Sequence, residues 1–319
     1  MPTSHRRART VVALFAFIAL AAVACGNSKT STTPSSGAGV TTAASDPGRT
    51  LKISAIPDQD PAKLATINGA MASYLAAKLG RKIEYVPVTD YAASVSLFKT
   101  GDLDMVFFGG LTGAQARLQT PGSTLLAQRD IDDAFQTIFI ANTSTGIKPI
   151  TDVKQLTVTK GKRFTFGSES STSGRLMPEY FLDQAGLSSD KDFSGPPGYS
   201  GSHDKTIDLV TSGTYEVGAL NLQVWKTRLA AGTIDLSKVT EVFTTPSYHD
   251  YHWIAGPQTN ARFGAGCTDQ LKSALLGLDY TKPDQAKLLD LYGAKRFIAT
   301  DVANYTQIEA IGRKLKLIT

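Results

Sequence analysis

Cysteine is nearly absent from this sequence. Two occur in 319 residues, Cys25 and Cys267, so no disulfide framework is available and stability has to come from a hydrophobic core. Histidine is scarce too, with four in the chain. With so few Cys and His, a structural zinc cluster is excluded and no metal or cofactor is expected. Long apolar runs are missing. The one extended stretch, Thr10 to Ala24, is about 15 residues long, short of the roughly 20 that a spanning helix needs. Basic runs are missing as well. The chain has 33 Lys+Arg against 28 Asp+Glu, but Arg6, Arg7 and Arg9 stand before the apolar stretch, and without them the balance is 30 against 28. The electrostatic footprint of nucleic-acid binding is therefore lacking.

What is present begins with that N-terminus. A basic start, a short apolar run and the small residues Ala21-Ala22-Val23-Ala24 have the order of a secretory signal peptide over residues 1–24. An uncleaved anchor helix is the alternative. Cys25 follows directly, and its position resembles a bacterial lipobox, with Ala22 where that motif usually carries Leu. The resemblance implies lipidation of Cys25 and an extracytoplasmic protein attached to the membrane by its lipid. Two acyl chains suffice for stable anchoring without a spanning helix. Residues 26–49 are rich in Ser, Thr, Gly, Ala and Pro. They read as a flexible tether with a mean reach of roughly 25–30 Å, or as a plain disordered tail.

From Leu51 the pattern changes to strands alternating with helices. Leu51–Ile56, Ile83–Val88, Asp104–Phe108, Phe164–Phe166 and Tyr215–Leu220 read as strands. Asp60-Pro61 is a helix start with Pro at the first helical position, and Gly80 is a plausible stop. The expected fold class is α/β with mostly parallel sheets. Some 270 residues are too many for one small sheet, so two lobes with a cleft between them are expected. Phe135–Asn142 leads out of the first lobe and Tyr251–Gly256 leads back. The expected division is residues 50–141 plus 251–319 for lobe 1 and 142–250 for lobe 2.

In open α/β sheets, ligands bind at the carboxyl ends of strands, where helix N-termini present N–H groups to anions. The richest such turn is Gly167 to Arg175, in which Ser171, Thr172 and Ser173 offer hydroxyls and Gly174 permits close approach. It forms an anion nest without the lysine of a nucleotide-binding loop. An ordinary Ser/Thr-capped helix start is the plainer alternative. Four further turns end in donors: Thr89-Asp90-Tyr91, Phe108-Gly109-Gly110, Ser202-His203-Asp204, and Asn221 after a strand.

The order of Val86–Ala93, Phe107-Phe108-Gly109-Gly110, Ser171-Thr172-Ser173-Gly174 with Pro178, and Gly201-Ser202-His203-Asp204 resembles the phosphonate/phosphate/phosphite-binding (PhnD-like) solute-binding proteins of ABC importers. The likeness runs from about Leu51 to the C-terminus. It implies a two-lobed, type II-like periplasmic-binding-protein fold and a small oxyanion as ligand. Permease and ATPase subunits of an importer are implied as partners, and a monomeric chain is expected. Tyr91, Ser171, Thr172, Ser173 and His203 would hold the oxyanion, with Gly109, Gly110 and Asn221 nearby and Asp250 as the acidic residue of the return segment. Phe108 departs from the family's usual Tyr at that position. Relatives with a similar Phe-Gly-Gly pattern are sometimes labelled as selenate binders, which adds a second candidate ligand.

An enzyme is the competing class, as a hydrolase of phosphate esters using a serine of Ser170–Ser173 with His203 and Asp250. No Gly-x-Ser-x-Gly elbow is present, and several serines stand as equivalent donors. His249 and His252 flank Asp250, but no His/Glu pair has metal-site spacing. Tyr248, Tyr251 and Trp253 read as core or as a cleft wall. The expectation is a binder and not an enzyme.

Overall fold

A computed structural model describes residues 48–318, and the expected signal peptide, Cys25 and most of the tether lie outside them. In chain order the strands are β1 (Leu51–Ala55), β2 (Ile83–Tyr85), β3 (Met105–Phe108), β4 (Thr124–Arg129), β5 (Thr137–Asn142), β6 (Phe164–Phe166), β7 (Gly198–Tyr199), β8 (Val217–Asn221), β9 (Val239–Thr244), β10 (His252–Ala255) and β11 (Phe297–Ile298). They form two sheets, ordered β11-β4-β10-β3-β1-β2 and β7-β6-β8-β5-β9. The helices that frame the cleft are α1 (Pro61–Leu79), α2 (Tyr91–Thr100), α3 (Gly110–Gln119), α4 (Met177–Gln184), α5 (His203–Thr211) and α6 (Leu222–Ala230).

Local chemistry sets the helix ends. Asp60 accepts hydrogen bonds from the N–H groups of Ala62 and Lys63 at 3.0 Å, and Pro61 follows where no intrahelical donor is needed. Gly80 closes α1 in the left-handed region at φ 63°. The Asp90 carboxylate caps α2 through Ala93 N–H at 2.8 Å.

Strand β5 shows how the second sheet is packed. Phe139 and Ala141 belong to the large core shared with the first sheet, whereas Ile138 and Ile140 join Leu220 and Trp225 in a separate cluster. The period-2 alternation of a strand buried on both faces accounts for this division.

Two expectations need correction. The sheets are mixed and not mostly parallel. β1 is parallel to β2 and β3, and β6 to β7 and β8, but β10 runs antiparallel to β3 and β4, and β5 antiparallel to β8 and β9. β5 and β10 are the first strands after each crossing between lobes. They start at the cleft, where the parallel strands end, so they must run the other way: His252 pairs with Phe108, and Thr137 with Asn221. The division at 141/142 also shifts. Phe135–Asn142 carries no strand of the first sheet, because β5 is an inner strand of the second. The chain changes sheets between Arg129 and Thr137, and again between Thr244 and His252.

The two crossing segments are bonded together. Phe135 and Tyr248 exchange N–H···O bonds at 2.9 Å, and Asp250 N–H donates to Asp132 O at 3.1 Å. Arg129 anchors this hinge. Its guanidinium donates to both Asp132 oxygens, at 2.8 and 2.6 Å, and lies 4.8 Å from the Tyr251 ring centre.

Candidate ligand-binding site

The Ser-Thr-Ser turn is a π turn over Thr172–Leu176 that leads into α4. Ser171 caps it, accepting Gly174 N–H at 3.0 Å. A Cβ on Gly174 would stand 3.1 Å from the Gly167 Cα and 3.0 Å from Ser171 Oγ, so this position has almost no room for a side chain. Single-turn π segments recur at functional sites. Here the widened turn carries three buried hydroxyls in succession, on Ser171, Thr172 and Ser173.

Thr172 reaches across the cleft. Its Oγ1 accepts Leu111 N–H at 3.0 Å from the first turn of α3. His203 N–H donates to Asp58 O at 2.9 Å, and Asp60 N–H to Asp204 Oδ2 at 3.0 Å. These bonds join the lobes at the site.

Asp250 sits buried in the seam. Its Oδ1 accepts Gly110 N–H at 2.8 Å. A Cβ on Gly109 would stand 3.1 Å from Thr172 Oγ1 and 3.2 Å from Asp250 Oδ1, so glycine lets all three groups approach. Burial pushes the Asp250 carboxyl up to about 7, against the pull of Gly110 N–H and the Thr172 hydroxyl.

Among the described residues, Tyr91 Oη, Ser173 Oγ and Asp250 Oδ2 are buried with no hydrogen-bond partner. They share a neighbourhood. The Asp250 charge acts on both Tyr91 and Tyr248, and Tyr248 lies beside Ser173. Burial first, then the charge of Asp58, holds the Tyr91 phenol well above its ordinary range, so it is a neutral donor. Thr137 accepts the Tyr248 O–H. Its single hydroxyl proton goes to Ser173 O at 2.9 Å, so Tyr248 Oη, 2.6 Å away, is the donor to Thr137. An unpaired buried polar atom costs about 1–3 kcal/mol. Three together mark a place built for a partner.

His203 is fully buried and neutral, its imidazole pushed down to about 3 by burial. Its Nδ1 accepts Asn221 N–H at 3.4 Å, which assigns the proton to Nε2, 3.4 Å from Tyr251 Oη. It is thus a donor that carries no charge.

Not every expected residue faces the nest with a free group. Gly110 spends its N–H on Asp250. Asn221 caps α6, accepting from Gln223 and Val224 N–H at 2.7 and 3.2 Å, and its Nδ2 donates to Tyr251 Oη at 3.2 Å. Phe108 turns its ring into the core, edge-on to Phe98 at 5.4 Å, so a phenol there would not reach the nest from this rotamer.

Sequence reasoning missed Asp58. It follows β1, is 4% exposed, and accepts Tyr251 O–H at 2.8 Å. Burial raises its carboxyl to about 6, against the Tyr251 hydrogen bond. Its position just beyond the carboxyl end of a buried strand was the available signal. Asp58 and Tyr251 also line a cavity of about 330 Å³ between the lobes, walled by Asn68, Phe107, Gln223 and Tyr292. None of the nest hydroxyls lines that cavity. The unpaired polar atoms, and not that cavity, mark the candidate anion site, because hydrogen-bonding capacity rather than volume determines where an anion is held.

Two α/β lobes joined by paired crossing segments, with donors converging on the cleft, define a periplasmic-binding-protein fold. A family model described as ABC transporter, phosphonate, periplasmic substrate-binding protein matches residues 53–305, and the chain belongs to that family. It is 48% identical over 271 residues to the probable ABC transporter phosphite binding protein PhnD1 of Prochlorococcus marinus (strain MIT 9301), covering 85% of this chain and 91% of the relative. It is 26% identical to the phosphate-import protein PhnD of Mycolicibacterium smegmatis, over 85% of this chain and 81% of that one. The structure of P. marinus PhnD1 in complex with methylphosphonate superposes with a TM-score of 0.83 at 47% identity, covering 86% of this chain and all of that one.

Proposed function

We propose that this protein captures a hydrogen-bearing oxyanion of the phosphite, phosphonate or phosphate kind and delivers it to the permease of an ABC importer. One observation carries the reading. Around the Ser-Thr-Ser turn, the buried groups without partners among the described residues are two hydroxyl donors, Tyr91 Oη and Ser173 Oγ, and one carboxylate acceptor, Asp250 Oδ2. Their complement is a ligand with at least two acceptor oxygens and one O–H. Hydrogen phosphite, hydrogen phosphate and an alkylphosphonate monoanion meet that requirement. Sulfate and selenate carry no proton at neutral pH and would oppose the Asp250 carboxylate with like charge.

The same donors leave an enzyme without a nucleophile. Ser171 Oγ accepts Gly174 N–H, Thr172 Oγ1 accepts Leu111 N–H, and no Ser–His hydrogen bond joins Ser173 to His203 among the described residues. The role is binding without turnover. The signal-like N-terminus and Cys25 support an extracytoplasmic chain held by lipid, and a monomer is proposed with it. Retention of a Cys25→Ala variant in the membrane fraction, processed like wild type, would refute the lipid anchor.

The test of the ligand is calorimetry of stripped protein with phosphite, phosphate, methylphosphonate, sulfate and selenate. Wild type is expected to prefer the best phosphorus ligand over selenate by at least roughly tenfold, about 1.4 kcal/mol. Asp250→Asn is expected to lose much of that preference. Equal or tighter selenate binding by wild type would overturn the reading.

A further inference from the structure

Anion sites usually balance charge with a lysine or arginine, and this one does not. The cation whose field reaches Asp250 and Asp58 is Arg129, and Asp132 holds it with both carboxylate oxygens. Asp204, across the cleft, pairs with Arg228 at 3.6 Å. Once these pairs are set aside, two buried carboxylates remain at the seam among the described residues without a cation of their own. Asp250 is one, and it already has a role in reading the ligand proton. Asp58 is the other. It stands in the loop after β1, accepts the Tyr251 hydroxyl at 2.8 Å, and its charge acts on both Tyr91 and Tyr251.

We propose that Asp58 is a specificity-determining residue that limits the charge of the ligand: with Asp58 and Asp250 both at the seam, the nest accepts an oxyanion with one negative charge and disfavours one with two. This rests on the oxyanion reading above and adds a selection by charge state. The physical reason is direct. A second charge on the ligand would face two desolvated carboxylates, and nothing in the nest is cationic. His203 cannot supply a charge, because it is buried with its Nδ1 already accepting a hydrogen bond. The groups that face Asp58 are Tyr251 from the return segment, Arg129 from the end of β4, Asp204 and His203 from α5, and Tyr85 and Tyr91 from its own lobe. Only Arg129 among them is positive. Asp58 is raised to about 6 by burial, so its charge is present at neutral pH and fades in mild acid. It also lines the open interlobe cavity, which gives protons access to it.

The probe is methylphosphonate, which changes from a monoanion to a dianion across neutral pH. Its affinity is measured at about pH 5.5 and about pH 8.5 for wild type and Asp58→Asn, with wild type expected to weaken by roughly fiftyfold or more over that range. At the lower pH the variant is expected to stay within about threefold of wild type, because Asn mimics the protonated carboxyl. At the higher pH it is expected to bind at least roughly fivefold more tightly than wild type. A merely structural role would weaken the variant by the same factor at both pH values, and that outcome overturns the proposal. So does an unchanged affinity at both. If Asp58→Asn does not fold, wild type provides the test by calorimetry near pH 8.5 in two buffers of different ionisation heat. Uptake of about one proton or more per ligand is expected, and no uptake overturns the proposal. Failure of methylphosphonate to bind at any pH would instead count against the oxyanion reading itself.

Discussion

Two turns in this protein leave buried strands and open helices, and they look alike in sequence. Gly167–Gly174 follows β6 in the second lobe, and Gly109–Thr112 follows β3 in the first. Both combine glycine with hydroxyl residues. Their hydrogen bonding differs. The second-lobe turn keeps Ser173 Oγ buried and unpaired, whereas the first-lobe turn has its leading N–H groups taken, Gly110 by Asp250 and Leu111 by Thr172. The lesson concerns reach. A backbone N–H at a helix start is fixed in direction and can be claimed by whatever the opposite lobe brings, while a hydroxyl on a side chain can be turned toward a ligand. On the proposed reading the second-lobe turn holds the anion, whereas the first-lobe turn bonds the Asp250 carboxylate and Thr172 across the seam.

Removing hydroxyls from the second-lobe turn is the most severe way to break this contrast. Thr172→Ala with Ser173→Ala is expected to weaken oxyanion binding by about two orders of magnitude or more, since hydrogen bonds to a charged group contribute about 1.5–3 kcal/mol each. Calorimetry checks it, and a loss below about fivefold would show that the donors lie elsewhere. A smaller effect is expected from Gly109→Ala. Its methyl would meet Thr172 Oγ1 and Asp250 Oδ1 at 3.1 and 3.2 Å, loosening the seam while every ligand donor stays in place. Binding should fall by roughly tenfold, about 1.4 kcal/mol. A loss as large as that of the double variant would erase the distinction between the turns.

Asn221→Ala sharpens the comparison from the other side. It removes the cap of α6 and a donor to Tyr251, at a cost of about 1 kcal/mol of stability. Thermal unfolding should register that loss, while binding stays within about fivefold of wild type. A hundredfold loss of affinity would return Asn221 to the ligand shell.

Much of the site was legible in the sequence, because it depends on local rules. Asp60-Pro61 and Gly80 mark the ends of α1 wherever that helix packs. Ser171–Ser173 stood out because three hydroxyls beside glycine at a strand-to-helix turn are a donor cluster in any fold. Tyr91 stood in a donor turn and Asp250 came from the resemblance, and each keeps a buried oxygen without a hydrogen-bond partner. The directions of β5 and β10 were not legible, because strand polarity depends on which end of a sheet the chain enters after crossing. Nor was the π turn, since one extra residue in a turn leaves no periodic trace over five positions.

By itself the sequence determined the residue types and the local elements that carry them: a donor cluster without a lysine, an acidic residue on the return segment, and helices whose caps lie beside them. Tertiary structure decided which of those polar groups remain free. Gly110 and Asn221 looked as available as Ser173 until the return segment supplied Asp250 and Tyr251 as their partners. Asp58 gained its place at the seam only when β1 packed opposite α5. The reason is physical. A hydrogen-bonding group is defined by its residue type, but its satisfaction depends on what lies within about 3 Å, and here the bonds that settled it span 30 to 193 positions of chain.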